Sequence, residues 1–124
     1  MIDIPAGKST PRIFFDEENS TFVIEGQSYP ENSSNFYEPV IRWVEDYLSN
    51  LDVKLKFKIK LLYINTSSTK AMFYLFDILE DAYINGKDIS IEWYYDKENE
   101  MAKDTGIELL EDFGFPFNII EIAS

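Results

Sequence analysis

The stretch that most constrains this chain is "KLKFKIKLLYIN", residues 54–65. Leu55, Phe57, Ile59 and Leu61 alternate with Lys54, Lys56, Lys58 and Lys60. Successive side chains of a strand point to opposite faces, so this period of two puts the apolar groups on one face and the ammonium groups on the other. A helix would scatter the lysines around its circumference. The segment therefore reads as a strand with one dry face and, along its first half, one wet face. From Leu61 to Ile64 it is apolar on both sides, as expected of a strand entering the middle of the molecule. Helices cannot cover a face studded with lysines, so they are expected mainly on the other side of the sheet.

The remaining elements follow from the same reasoning. "RIFF" (Arg12–Phe15) and "TFVIEG" (Thr21–Gly26) are β-prone runs joined by the polar "DEENS", and read as a hairpin. "QSYPENSS" (Gln27–Ser34) reads as a loop. From about Ser34 to Leu51, Phe36, Val40, Val44, Tyr47, Leu48 and Leu51 recur at helical spacing, with Trp43 at the border. Asn32, Ser33 or Ser34 can cap that helix, and Pro39 is placed in an early turn. A second helix is expected over Thr69–Asn85, with a stripe of Met72, Leu75, Phe76, Leu79, Ala82 and Tyr83, stopped by Gly86. "ISIEWYY" (Ile89–Tyr95) is a strand, Glu98–Phe113 a third helix using Met101, Ala102, Thr105, Leu109 and Leu110, and "FNIIEI" a last strand. The order β-β-α-β-α-β-α-β defines an α/β domain, residues 1–124, with parallel strand pairs joined by crossovers.

Composition excludes several classes of function. The 23 acids outweigh 11 bases, giving a net charge of −12. Such a chain repels phosphate backbones, so no nucleic-acid partner is expected. No apolar run approaches a membrane span and no secretory signal is legible, so no membrane insertion is expected. Cys and His are both absent, which removes thiol nucleophiles, disulfides, histidine acid–base chemistry and ordinary zinc sites. The lack of Cys fits the cytoplasm. The acids of the third helix lack the spaced pattern and Gly of a calcium loop, so neither a metal nor a cofactor is expected.

Two short segments carry candidate chemistry. "YINTSSTK", Tyr63–Lys70, crowds Thr66, Ser67, Ser68 and Thr69 into a strand–helix junction, where one hydroxyl would suffice as a cap. Two readings fit. The hydroxyls are a cap with turn residues, or one of them accepts a phosphate, which the free N–H groups and positive end of the helix would accommodate. "EGQSYPENS", Glu25–Ser33, is a loop leading into a capped helix, or a recognition loop that presents Tyr29 and Glu31. The lysine stripe reads as a solvated face paired with acids such as Glu25 or Glu92.

With "EGQSYPENSSNFYEPVIRWVEDYL", "LLYINTSSTKAMFYLFDILE" and "WYYDKENEMAKDTGIELLEDFGFPF", the chain resembles the SiaC family of bacterial regulatory phosphoproteins over about Ser9–Ile120. That family is similar in fold to STAS domains, so the resemblance implies a STAS-like mixed sheet. It also implies a non-enzymatic switch. A partner protein kinase phosphorylates a Thr, a PP2C-like phosphatase removes the phosphate, and the unphosphorylated form activates a diguanylate cyclase. The family's acceptor falls on Thr66, with Ser67 and Ser68 as alternatives. The implied partner-binding residues are Tyr29, Pro30, Glu31, Asn32, Asn65, Ser67, Ser68 and Lys70. Two other readings of the residues stay open: a small enzyme using a carboxylate, Tyr or Lys site, and a structural interaction domain that does not switch.

Overall fold

The computed structural model describes residues 2–123. Their elements run β1 (Asp3–Ile4), β2 (Arg12–Asp16), β3 (Thr21–Ser28), α1 (Ser33–Leu48), β4 (Lys54–Ile64), α2 (Thr66–Ile84), β5 (Asp88–Asp96), α3 (Glu100–Leu110) and β6 (Phe117–Ile122). The strands form one sheet in the order β1-β2-β3-β4-β5-β6. The first three are antiparallel neighbours, and β3 through β6 are parallel neighbours. This is the expected mixed sheet, with one further strand in front. At two residues, β1 is too short to leave a periodic signal in the sequence.

The alternation along β4 holds to Leu61: Leu55, Phe57, Ile59 and Leu61 are all buried. Register carries the dry face across the sheet, pairing Ile24 with Ile59 and Ile59 with Trp93. The helices cover that face with Val40 and Val44 from α1, Met72, Leu75, Phe76 and Leu79 from α2, and Leu109 and Leu110 from α3. Each such side chain contributes about 1.5–3 kcal/mol on burial. The other face is open. Lys56 pairs with Glu92 at 2.9 Å and Lys60 with Asp96 at 3.8 Å, while Glu25 is 4.0 Å from Arg12. Burial pushes the Glu92 carboxyl up, but the Tyr94 hydroxyl, Lys56 and Lys58 outweigh it and hold it below its ordinary value. Partial burial, followed by the same carboxylate, pushes the Tyr94 hydroxyl up to about 12.

Several local expectations are corrected. α1 ends at Leu48, so Leu51 falls outside it and is 87% exposed. Pro39 lies deeper in α1 than an early turn, where it forgoes one helical N–H. Tyr83 and Met101 are exposed, because their helices turn those positions away from the sheet. The doubly apolar end of β4 does not enter the interior: Leu62 and Tyr63 are 45% and 49% exposed. Leu62 continues the alternation onto the open lysine face, and at Tyr63 a register slip breaks that alternation. Gly26 of β3 faces Leu61, but Gln27 faces Tyr63, so Leu62 is an extra residue on β4. The slip breaks the period of two and returns Ile64 opposite Ser28. It also lets the Asn65 N–H donate to the Ser28 carbonyl at 2.9 Å, which fixes where α2 begins.

Candidate functional site

α2 starts at Thr66, three residues before the expected Thr69. The cap is Asn65, whose extended backbone leaves its Oδ1 free to accept the Ser68 N–H at 2.9 Å. The hydroxyls are therefore inside the helix, pointing in successive directions around it, and each meets a different environment. Ser68 is fully buried; its Oγ accepts from Ser28 Oγ at 2.8 Å and lies 3.1 Å from Ser33 Oγ. Ser67 is exposed but shares a 2.7 Å hydrogen bond with Ser33 and reaches Asn65 Oδ1 at 3.3 Å. Thr69 donates back to the Asn65 carbonyl at 3.0 Å. Thr66 is exposed, and its hydroxyl bonds to none of the described residues.

Three elements meet here. Ser28 ends β3, Ser33 and Tyr37 belong to the first turns of α1, and Ser67 and Ser68 to the first turn of α2. Tyr37 and Ser28 share a buried 2.6 Å hydrogen bond. Burial drives the Tyr37 hydroxyl up to about 12, with the Ser28 bond pulling slightly the other way. The network is neutral and internally satisfied, with no buried unpaired side-chain polar atom among the described residues. It contains no carboxylate or amine to activate a hydroxyl.

The two candidate segments are brought together by these bonds. Asn32 caps α1 by accepting the Asn35 N–H at 3.0 Å and is exposed, as is Glu31. Tyr29 is partly exposed; its ring meets Tyr63 with centroids 5.8 Å apart and its hydroxyl donates to the Lys8 carbonyl at 3.2 Å. Pro30 and Ser68 are buried and present no surface to a partner, so their place is in positioning the loop and the helix. Lys70 is exposed one turn beyond Thr66. Sequence reasoning did not include Ser28, Ser33 and Tyr37 in the cluster. A serine at a strand end and a tyrosine on an apolar helical stripe look like turn and core residues until the fold joins them. Among the described residues no group of His, Cys, Asp or Glu is placed to hold a metal ion.

The comparisons fit this geometry. Residues 4–122 match the family described as SiaC family regulatory phosphoprotein. The chain belongs to the SiaC family. It is 42% identical over 118 residues to an uncharacterised protein of Pseudomonas aeruginosa strain UCBPP-PA14, covering 95% of this chain and 94% of that one. It superposes with a TM-score of 0.93, at 40% identity over 98% of this chain and 100% of the other, on SiaC of P. aeruginosa, solved as the activator in complex with the diguanylate cyclase SiaD. Apo-SiaC of the same organism superposes with a TM-score of 0.90, at 40% identity and 98% coverage of both chains. Family membership makes this chain a regulatory protein. No helix among the described residues is long and apolar enough to cross a membrane.

Proposed function

We propose that this chain is a non-enzymatic, cytoplasmic phosphorylation switch, acting as one domain, whose unphosphorylated form binds and activates a diguanylate cyclase. A partner kinase phosphorylates Thr66 and a PP2C-like phosphatase reverses it. The observation that carries this reading is the contrast within the hydroxyl cluster. Ser68 is fully buried and Ser67 is tied to Ser33, whereas Thr66 is exposed and uncommitted. A phosphate at the first residue of α2 meets unsatisfied N–H groups and a helix end with no acidic residue in its first turn. It is tolerated by the fold, stabilised by about 0.3–1 kcal/mol of dipole interaction. It is not tolerated by an interface, where a dianion pressed against an apolar or acidic contact is desolvated or repelled.

The partner surface consists of Tyr29, Glu31, Asn32, Asn65, Ser67 and Lys70 around Thr66, the loop and the helix start being held together by the serine network. Against catalysis stand a satisfied, uncharged hydroxyl cluster and the absence of His and Cys from the sequence. The test is fragment mass spectrometry after incubation with the cognate kinase and ATP, beside a pull-down of the cyclase. Phosphate on Thr66 and loss of cyclase capture are expected together. A Thr66→Ala chain that the kinase still switches off overturns the assignment.

A further inference from the structure

β6 (Phe117–Ile122) is one margin of the sheet, with β5 as its only neighbour among the described strands. Along a strand, the main-chain groups of successive residues turn to opposite sides. The Pro116 carbonyl accepts the Ile91 N–H at 3.1 Å, the Ile122 carbonyl accepts the Lys97 N–H at 3.0 Å, and the register between them is unbroken. Asn118, Ile120 and Ile122 therefore turn their N–H and C=O groups toward β5. Those of Phe117, Ile119 and Glu121 point outward, with no strand to receive them among the described residues. Sheet margins are ordinarily blunted by Lys, Pro, a bulge or sheer shortness. β6 has no Lys, no Pro and no slip, whereas β1 at the other margin is only two residues long. Phe117, Ile119, Ile120 and Ile122 are all only half-buried.

We propose that β6 joins two copies of this chain edge to edge, as antiparallel strands about a two-fold axis at Ile119. The strand's own register argues for a second copy as the occupant. An axis at Ile119 sets Ile119 opposite Ile119 of the second copy, and Phe117 opposite its Glu121 in both directions. These are the three outward-facing residues, and each opposed pair exchanges two hydrogen bonds. An axis at Asn118 or Ile120 carries one of the three beyond the end of the facing strand. An axis at Phe117 carries two of them beyond it. An axis at Glu121 sets two carboxylates face to face. With the axis at Ile119, the two Glu121 positions lie four residues apart along the ladder, roughly 14 Å. That exceeds the screening length of about 8 Å at physiological salt. Glu121 is also drawn back within its own chain, accepting from the Tyr95 hydroxyl at 3.3 Å. The ladder is short and each chain carries a net charge of −12, so the pair is weak and strengthens with salt. β6 contributes no residue to the Thr66 surface, so the pairing stands or falls independently of the function proposed above.

Sedimentation velocity on the full chain, from about 10 μM to about 1 mM, covers the range of weak association. A reversible monomer–dimer equilibrium is expected, shifted toward dimer by salt. Ile119→Pro deletes an outward N–H without touching a bond to β5. Ile119→Lys sets two ammonium groups opposite each other. Each is expected to weaken association by about tenfold or more while far-UV circular dichroism stays that of wild type. The sequence has no Cys, so Ile119→Cys introduces a single thiol per chain. Its Cα would lie about 5.5 Å from its counterpart, within disulfide reach. Mild oxidation is expected to give a covalent dimer. Glu121→Cys, roughly 14 Å from its counterpart, is expected to stay monomeric. A chain that is monomeric throughout the range overturns the inference, as does undiminished association of the folded Ile119 variants. Ile119→Cys crosslinking no faster than Glu121→Cys overturns it too, and this comparison decides alone should Ile119→Pro and Ile119→Lys unfold. Growth into longer polymers overturns the two-fold pair in favour of β6 meeting β1 of the next copy, a contact that does not close.

Discussion

Ser28 Oγ donates to Ser68 Oγ across 2.8 Å, and both residues are fully buried although 40 positions separate them. The bond ties the end of β3 to the first turn of α2. Ser33 extends it to α1, so the two segments that flank Thr66 share one neutral hydroxyl network. Ser68→Ala leaves the Ser28 hydroxyl without its acceptor in a dry site, while Ser33 keeps its bond to Ser67. A loss of about 1–3 kcal/mol in unfolding free energy is expected. Urea titration checks it, and a midpoint equal to wild type counts against the network.

Thr66 behaves differently because nothing in the fold depends on its hydroxyl. Thr66→Ala is expected to change stability by no more than about 0.5 kcal/mol, to refuse phosphate and to keep cyclase binding. Thr66→Asp is expected to fold normally and bind less well, one carboxylate being a partial substitute for a phosphate. Thermal melts and pull-downs of the two variants provide the check.

Gly106 of α3 sits against the face of Trp93, whose indole N–H donates to the Ala102 carbonyl at 3.0 Å. A Cβ built on Gly106 would lie 2.5 Å from Trp93 Cδ1 and Nε1. Neither the buried indole nor the helix can yield that distance cheaply. Gly106→Ala, ordinarily a favourable helix change, is expected instead to destabilise by about 1–3 kcal/mol and to shift the tryptophan emission. An unchanged unfolding midpoint would falsify this packing argument.

Alkaline pH probes Tyr37 of the serine network and Tyr94 of the open sheet face. Burial raises Tyr37 to about 12, and partial burial with Glu92 raises Tyr94 to about 12. A raised folded value means that the neutral form is favoured by folding. The associated stability is present in full below about pH 10, the ordinary tyrosine range, and is lost as pH climbs toward 12. Tyrosinate absorbance should therefore show two late-titrating groups. Tyr37→Phe removes one of them and flattens the alkaline loss of stability. A titration in which every tyrosine ionises together near pH 10 would count against the burial of Tyr37.

Glu92 runs the opposite way. Burial raises its carboxyl, but Tyr94, Lys56 and Lys58 together lower it further, and it is partly exposed. Its contribution is complete above the ordinary carboxylate range and is lost as pH falls below it. Glu92→Gln is expected to destabilise slightly at neutral pH, by less than about 1 kcal/mol, and to make no difference in strong acid. Denaturation at the two pH values separates these outcomes.

The sequence by itself determined the sheet and its sidedness. The Leu/Lys alternation of β4 and the heptad-like stripes of α1 and α2 are local periodic signals, and Leu55, Phe57, Ile59, Val40, Leu75 and Leu79 are buried where those signals put them. The absence of His and Cys likewise removes whole classes of chemistry. α2 starts three residues before the point its apolar stripe predicts, because Thr66–Thr69 carries no apolar period and its hydroxyls look equally at home in a turn. Tertiary structure decided what four adjacent hydroxyls do. The slip at Leu62 sets the point at which α2 begins, and the arrival of Ser28, Ser33 and Tyr37 from distant positions sets which hydroxyl is dry. Those contacts depend on how three elements converge in space. Nothing in the residue types of "NTSST" distinguishes the buried serine from the free threonine, since a hydroxyl acquires its role only from the partners packed around it.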